Sequence, residues 1–511
     1  MKNLRKILPV ALMAMTLCSC GGGVDVTNKH LPTDDPSKEV VIQFWHCMGH
    51  DKSENLGKIV KKFNEQYAGK YRVEATAPEK TYDKLHETVM TRISTGEVPA
   101  LCMGYPDSFS MYITKNLETS HIYKLDNFFN DENYGYSAQE KADFVDAYLE
   151  EGSHYQFDGI WSVPMYKSTE IMYYNANYFC GDNPETEQKV AKDTSLDAAK
   201  KTAYMNALAD VQNATAYATD EQLATLKSAV NAVGGYTYEV PVTWAQLEAV
   251  SRAVIANRAA QGIINPNFYP FGYDSDANLL ISQMAQLGIP YTVNNEESRK
   301  NTDKHFAFNN QQAKDLVQSI IDLHREKIMT TKGLLGGKYT NEAFTSLESI
   351  MSIGSTGGSS YNVSGNFKVK LAPVPYKGNT PKYIQQGPSI CFFDNDDDYI
   401  HKGAWLFYKM MAETENNAAL ALENSYDPVR KSSYETTNYE NWIAKHDLDL
   451  KYDIPYTTAQ IKQYYMTSEV FIGSSEARNQ LDDIIKNIVN GGMTIDQAFS
   501  TAYNRACDAA K

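Results

Sequence analysis

From Val40 to His46 the chain reads Val-Val-Ile-Gln-Phe-Trp-His, a β-branched and aromatic run that fits a buried strand of an α/β sheet. It gives way to Cys47-Met48-Gly49-His50-Asp51. Leu56, Ile59, Val60 and Phe63 then recur at three- and four-residue spacings, the mark of an amphipathic helix. Tyr71-Arg72-Val73-Glu74-Ala75 alternates as a second strand. Strand, helix and strand in this order open a βαβ unit, and ligands of such sheets collect at the carboxyl ends of the strands. Trp45 and His46 stand at that end of the first strand.

With 511 residues the chain exceeds one ordinary core, so two lobes are expected. A formal charge of −15 argues against a nucleic-acid or anionic-membrane surface, because either needs a cationic face. The 35 tyrosines offer flat, amphipathic contact of the kind that covers a sugar ring. Lys2, Arg5 and Lys6 precede an apolar run from Ile7 to Leu17, closed by Leu17-Cys18-Ser19-Cys20, which reads as an export signal. Small residues before a cysteine resemble the bacterial lipoprotein signal, with Cys20 as the lipidated residue. Residues 21–38 then read as a flexible tether. The remaining cysteines, Cys47, Cys102, Cys180, Cys391 and Cys507, are too scattered for a disulfide framework. His46 and His50 flank Cys47 at a spacing of four, but further ligands are not identifiable, so neither metal nor cofactor is expected.

Thr81 to Leu85 begins a second helix, and Val98 to Met103 a third strand that delivers Tyr105, Pro106 and Asp107 to the same sheet edge. Phe271-Gly272-Tyr273-Asp274 looks like another strand end. Ile350 to Gly358 runs into a small-residue loop whose backbone N–H groups can approach a bound oxygen closely. Between residues 183 and 238 two apolar faces, one from Leu196 to Val211 and one from Leu223 to Val233, predict a helical pair. Thr219 and Gln222 form a capping box for the second helix.

Phe44-Trp45-His46-Cys47-Met48 followed by Phe63-Asn64-Glu65 resembles the opening of the extracellular solute-binding proteins (family 1) of ABC importers. The glycerol-3-phosphate and carbohydrate-binding branch is the most similar. Trp161-Ser162-Val163-Pro164 leading to Tyr173-Tyr174-Asn175, Thr243-Trp244-Ala245-Gln246-Leu247, Leu371 to Pro375 and Tyr426-Asp427-Pro428 extend the resemblance over nearly all of the chain outside 183–238. It implies an α/β, two-lobed, periplasmic-binding-protein-like (type II) fold with hinge crossings. Lobe 1 would hold 39–158 and 373–425, and lobe 2 would hold 159–372 and 426–511, the helical insertion 183–238 decorating lobe 2.

Carried over position by position, the resemblance puts Tyr82, Ser168, Ser355 or its neighbour Thr356, Gly387 and Tyr426 at the ligand. Trp45, His46, Tyr105, Asp107, Thr169 and Tyr273 join them as strand-end candidates. Pro106 falls where the branch carries an acidic residue. The segment Ser468 to Gly473 lacks the arginine with which the branch holds a phosphate. A neutral carbohydrate or polyol is therefore expected, captured by a monomeric lipid-anchored protein and passed to the permease subunits of an importer. Glycerol 3-phosphate or a glycerophosphodiester is the alternative. A surface glycan-acting enzyme with two positioned carboxylates is a further one, although no pair stands out.

Overall fold

The computed structural model describes residues 27–49, 53–215, 217–446 and 449–511. The lipidation candidate Cys20 and His50 lie outside them. Two mixed α/β lobes each carry a sheet. The first sheet is ordered β2 (Tyr71–Thr76), β1 (Val40–Trp45), β3 (Leu101–Gly104), β11 (Ser389–Phe392), β4 (Val163–Pro164). β1 runs parallel to β2 and β3, as the βαβ pattern predicts, and β11 is antiparallel to β3 and β4. The helix Glu54–Gln66 buries Leu56, Ile59 and Phe63 against this sheet, and the helix Tyr82–Ile93 is capped by Thr81.

The second sheet is built around β5 (Ser168–Asn175). On one side lie β8 (Met351–Ser355), β6 (Phe271–Tyr273) and β7 (Met329–Thr331). On the other lie β9 (Val369–Pro373) and β10 (Tyr383–Gln386), with β12 (Tyr465–Met466) at the edge. Ile171, Met172 and Tyr173 on β5 are fully buried, consistent with a central strand covered on both faces. Among the described residues no helix is long and apolar enough to cross a membrane.

The chain passes between sheets later than the expected boundaries. Val163 and Pro164 still pair in the first sheet, so the first crossing is 165–167 and not 159. β9 and β10 both belong to the second sheet, which moves the return from 373 to 387–388. Residues 428–443 stay with the first lobe. Val429 is buried in its core, Arg430 lies over the Phe144 ring at 3.8 Å, and the helix Thr437–Ile443 packs on the helix Thr414–Glu423. Extended segments carry the same alternation in either sheet, so the switch has no local signal.

Two crossings and a first-lobe loop meet at one point. Lys167 and Asp427 exchange backbone hydrogen bonds of 2.9 and 2.5 Å, and Gly387 packs onto the same strand. Gly387 has φ +106, and a Cβ there would lie 2.8 Å from the Tyr166 carbonyl, so both the turn and the close approach require glycine.

The insertion holds three helices rather than a pair: Pro184–Lys192, Ala198–Gln212 and Asp220–Ala232, the last with the expected Thr219–Gln222 capping box. They share a small core of their own in which Leu226 and Val230 are fully buried. The tether also differs from expectation. Thr27 and Leu31 are buried, Lys29 pairs with Asp394 at 2.6 Å, and Asp35 with Lys70 at 2.6 Å. The Asp34 carbonyl accepts from the buried ammonium of Lys402 at 2.8 Å. Residues 27–38 are therefore an arm docked on the first lobe.

Candidate functional site

A cavity of about 270 Å³ lies between the lobes. The end of β3 and the short helix after it contribute Tyr105 and Asp107, and the end of β6 contributes Asp274 from the opposite side. The helix Ser474–Val489 turns Arg478 and Asp482 inward, Lys332 follows β7, and Gln386 and Gly387 stand where the chain returns to the first lobe. Its wall is predominantly acidic: Asp83, Asp107, Asp274, Glu469 and Asp482 face two cations, Lys332 and Arg478. Glu151, also in the wall, is neutralised by an ion pair with Lys167, which is buried behind it and reaches the Ser389 hydroxyl at 3.1 Å.

Burial raises the pKa of Asp107, opposed by the guanidinium of Arg478. Burial also raises Asp274, opposed by hydrogen bonds from the Thr340 N–H (2.8 Å) and hydroxyl (3.2 Å). Arg478 donates to the Asn278 side-chain carbonyl and, among the described residues, enters no ion pair. Asn278 in turn donates to Glu170 at 2.7 Å, and Glu170 accepts from the Tyr273 hydroxyl at 2.5 Å. Glu170 is almost wholly buried, and desolvation raises it to about 7 despite both hydrogen bonds. A network thus runs from the second-lobe interior to Arg478, one of the two cations in the cavity wall.

Beside the cavity, tyrosines from separate segments gather. Tyr82 packs on Tyr105 with ring centroids 4.5 Å apart, and Tyr166 on Tyr426 at 4.7 Å. Burial pushes the Tyr426 hydroxyl up to about 12, opposed by the neighbouring Tyr82. The Tyr426 hydroxyl lies against Gly357, in the turn that follows Ser355 and Thr356.

Of the expected site residues, Tyr105, Asp107 and Gly387 line the cavity, and Tyr82 and Tyr426 adjoin it. Ser355 is tied into its own turn, accepting from the Gly357 N–H at 3.2 Å, and Thr356 is buried. The others do not line it. Trp45 packs into the Leu85, Val89 and Cys102 cluster, because the strand alternation turns it away from the cleft. His46 is buried, accepts from the Met48 N–H at 3.2 Å through Nδ1, and is pushed down to about 4 by desolvation. Ser168 and Thr169 are buried in the β5–β10 ladder, the Thr169 hydroxyl donating to the Ile384 carbonyl at 2.9 Å. Tyr273 serves Glu170.

The sequence reading missed Arg478, Asn278, Asp274 as a wall residue, and Glu170. Glu170 had a signal, a lone carboxylate at the head of an apolar strand. Arg478 was sought before the penultimate helix, whereas it sits inside it, on the inward face. The absence of arginine from 468–473 therefore does not mean the cleft lacks one.

A family model described as bacterial extracellular solute-binding protein matches residues 58–446. No curated protein sequence matches the chain. Solved structures of similar fold include UgpB from Mycobacterium tuberculosis in complex with glycerophosphocholine (14% identity, 91% of this chain and 97% of that one, TM-score 0.63). The cyclic alpha-maltosyl-1,6-maltose binding protein of Arthrobacter globiformis is similar at 14% identity, 93% and 99% coverage and a TM-score of 0.62. The MalE domain of Bdellovibrio bacteriovorus bound to maltotriose is similar at 14% identity, 91% and 98% coverage and a TM-score of 0.61. At such identities these likenesses speak for the fold.

Proposed function

The chain belongs to the bacterial extracellular solute-binding proteins, and from that membership we propose that the cavity between its lobes captures a carbohydrate or polyol by hinge closure. Members of this family bind a small solute outside the cytoplasm and deliver it to the permease of an ABC importer, without converting it. The observation that carries the choice of solute is the wall itself. Carboxylates and amides from both lobes are suited to hydroxyl groups, and Tyr82 and Tyr105 beside them to the apolar face of a sugar. Relatives of the same fold that hold maltotriose or bind cyclic maltosyl-maltose support this reading.

A second reading, glycerol 3-phosphate or a glycerophosphodiester, draws support from Arg478, and a relative of the same fold holds glycerophosphocholine. Five carboxylates against two cations make a dianion the poorer guest. In the proposed setting the chain acts as a monomer, tethered outside the membrane through lipidated Cys20.

Thermal denaturation with maltose, sorbitol and glycerol 3-phosphate as probes tests the choice. A ligand at ~100 times its Kd adds about 2.7 kcal/mol to native-state stability. A rise in melting temperature with the neutral compounds is the expected result. A rise with glycerol 3-phosphate alone, abolished in Arg478→Gln, would replace the first reading by the second. Retention of Cys20→Ala protein in the membrane fraction would remove the lipid anchor.

A further inference from the structure

Val470 and Phe471 are consecutive, yet each is buried in a different lobe. Val470 is 4% exposed and sits among Phe109, Tyr112, Tyr155 and Trp161 of the first lobe. Phe471 is fully buried in the second-lobe core, stacked on His305 with centroids 4.1 Å apart. Backbone bonds reinforce the first contact. The Val470 N–H donates to the His154 carbonyl at 3.2 Å, Tyr155 and Val470 form a parallel bridge, and the Ile472 N–H donates to the Gln156 side-chain carbonyl at 2.8 Å. Farther along the same rim, Arg299 of the second lobe pairs with Asp158 of the first at 3.2 Å.

We propose that residues 468–472 are a strap: by seating Val470 in the first lobe it holds the lobes together across one rim of the cavity and sets Ser468 and Glu469 in the wall. Covalently the segment belongs to the second lobe, since it joins β12 to the helix that carries Arg478. It is not one of the chain crossings, so its contact with the first lobe is free to break when the lobes part. Val470 borders the cavity but brings to it only apolar methyl groups; it is a positioning residue for Ser468 and Glu469. The inference rests on the solute reading only for what the strap presents, and the docking itself can be tested without any solute.

The measurement is amide hydrogen exchange on the unliganded full chain, with small-angle scattering on the same samples. In Val470→Ser, exchange at Val470 and Ile472 should accelerate at least about tenfold while the amides of β5 and β8 are unchanged, and the radius of gyration should grow. Should Val470→Ser fail to fold, Val470→Ala, which removes only two methyl groups, must still show faster exchange confined to 468–472. Exchange at Ile472 in the parent as fast as in an unprotected loop, or unaltered exchange and radius in both variants, would overturn the strap. Absence of any bound sugar in the thermal assay would leave these readings untouched and fall on the solute assignment alone.

Discussion

The hydroxyl of Tyr426, packed against the first-lobe core, closes on Gly357 of the second lobe: a Cβ built on Gly357 would lie 2.6 Å from that oxygen. The contact leaves no room for a side chain, so the loop after β8 can meet the tyrosine group only as glycine.

Gly357→Val should therefore prop the lobes apart. Overpacking of this kind costs about 1–3 kcal/mol in the closed form. The affinity for whichever probe raises the melting temperature should fall by a corresponding factor, and the radius of gyration of the unliganded chain should grow, while the core of each lobe keeps its own stability. Calorimetric titration of parent and variant checks it. An equal loss of unliganded stability would place the clash inside one lobe rather than between two.

The buried Lys167–Glu151 pair makes the second prediction. Removing one partner strands the other charge in the interior, and Glu151→Leu should lose about 3–5 kcal/mol of unfolding free energy in urea titration. The double variant Glu151→Leu/Lys167→Met should recover much of it, since no charge is then left unpaired. A double variant as unstable as the single one would contradict this account.

Glu170 predicts a pH dependence with a definite sign. Its folded value, about 7, lies above the ordinary glutamate value of 4.5. Between these limits the folded chain keeps a proton that the unfolded chain has released, so stability falls as pH rises through the window. Asp276 and Asp427, each raised to about 6 by burial, act in the same direction at lower pH. Glu170→Gln should flatten the upper part of the profile in urea titrations from pH 5 to 8. An unchanged slope would mean that Glu170 is ionised throughout.

Leu226 is fully buried in the insertion's separate core. Leu226→Ala should destabilise that unit by about 2–5 kcal/mol, visible as local loss of exchange protection over 198–232. Probe binding should be retained, because the insertion does not line the cavity.

Much of the fold could be read before any coordinates, and the reasons are local. The Val40–Trp45 run, the Leu56–Phe63 periodicity, the Thr81 cap and the Thr219–Gln222 box are each complete within a few residues. The site was less legible because it depends on helix phase and on pairings distant in sequence. Arg478 faces inward only through the rotation of its helix, and Glu170 meets Asn278 across more than a hundred residues. Trp45 and His46 lie at the expected strand end, but alternation and packing send their rings into the lobe. The crossings were misplaced for a similar reason: Val163–Pro164 and Tyr383–Gln386 are short extended segments with no local mark of one sheet or the other, and only their partners decide.

The docked arm shortens the leash. With Thr27 already buried on the first lobe, seven residue steps separate it from Cys20, at most about 25 Å of contour when fully drawn out. If Cys20 carries the lipid, the body cannot wander freely above the bilayer. It skims close to the surface, one lobe nearer the lipid than the other, and its encounter with a permease becomes a search in two dimensions with the approach angle already narrowed.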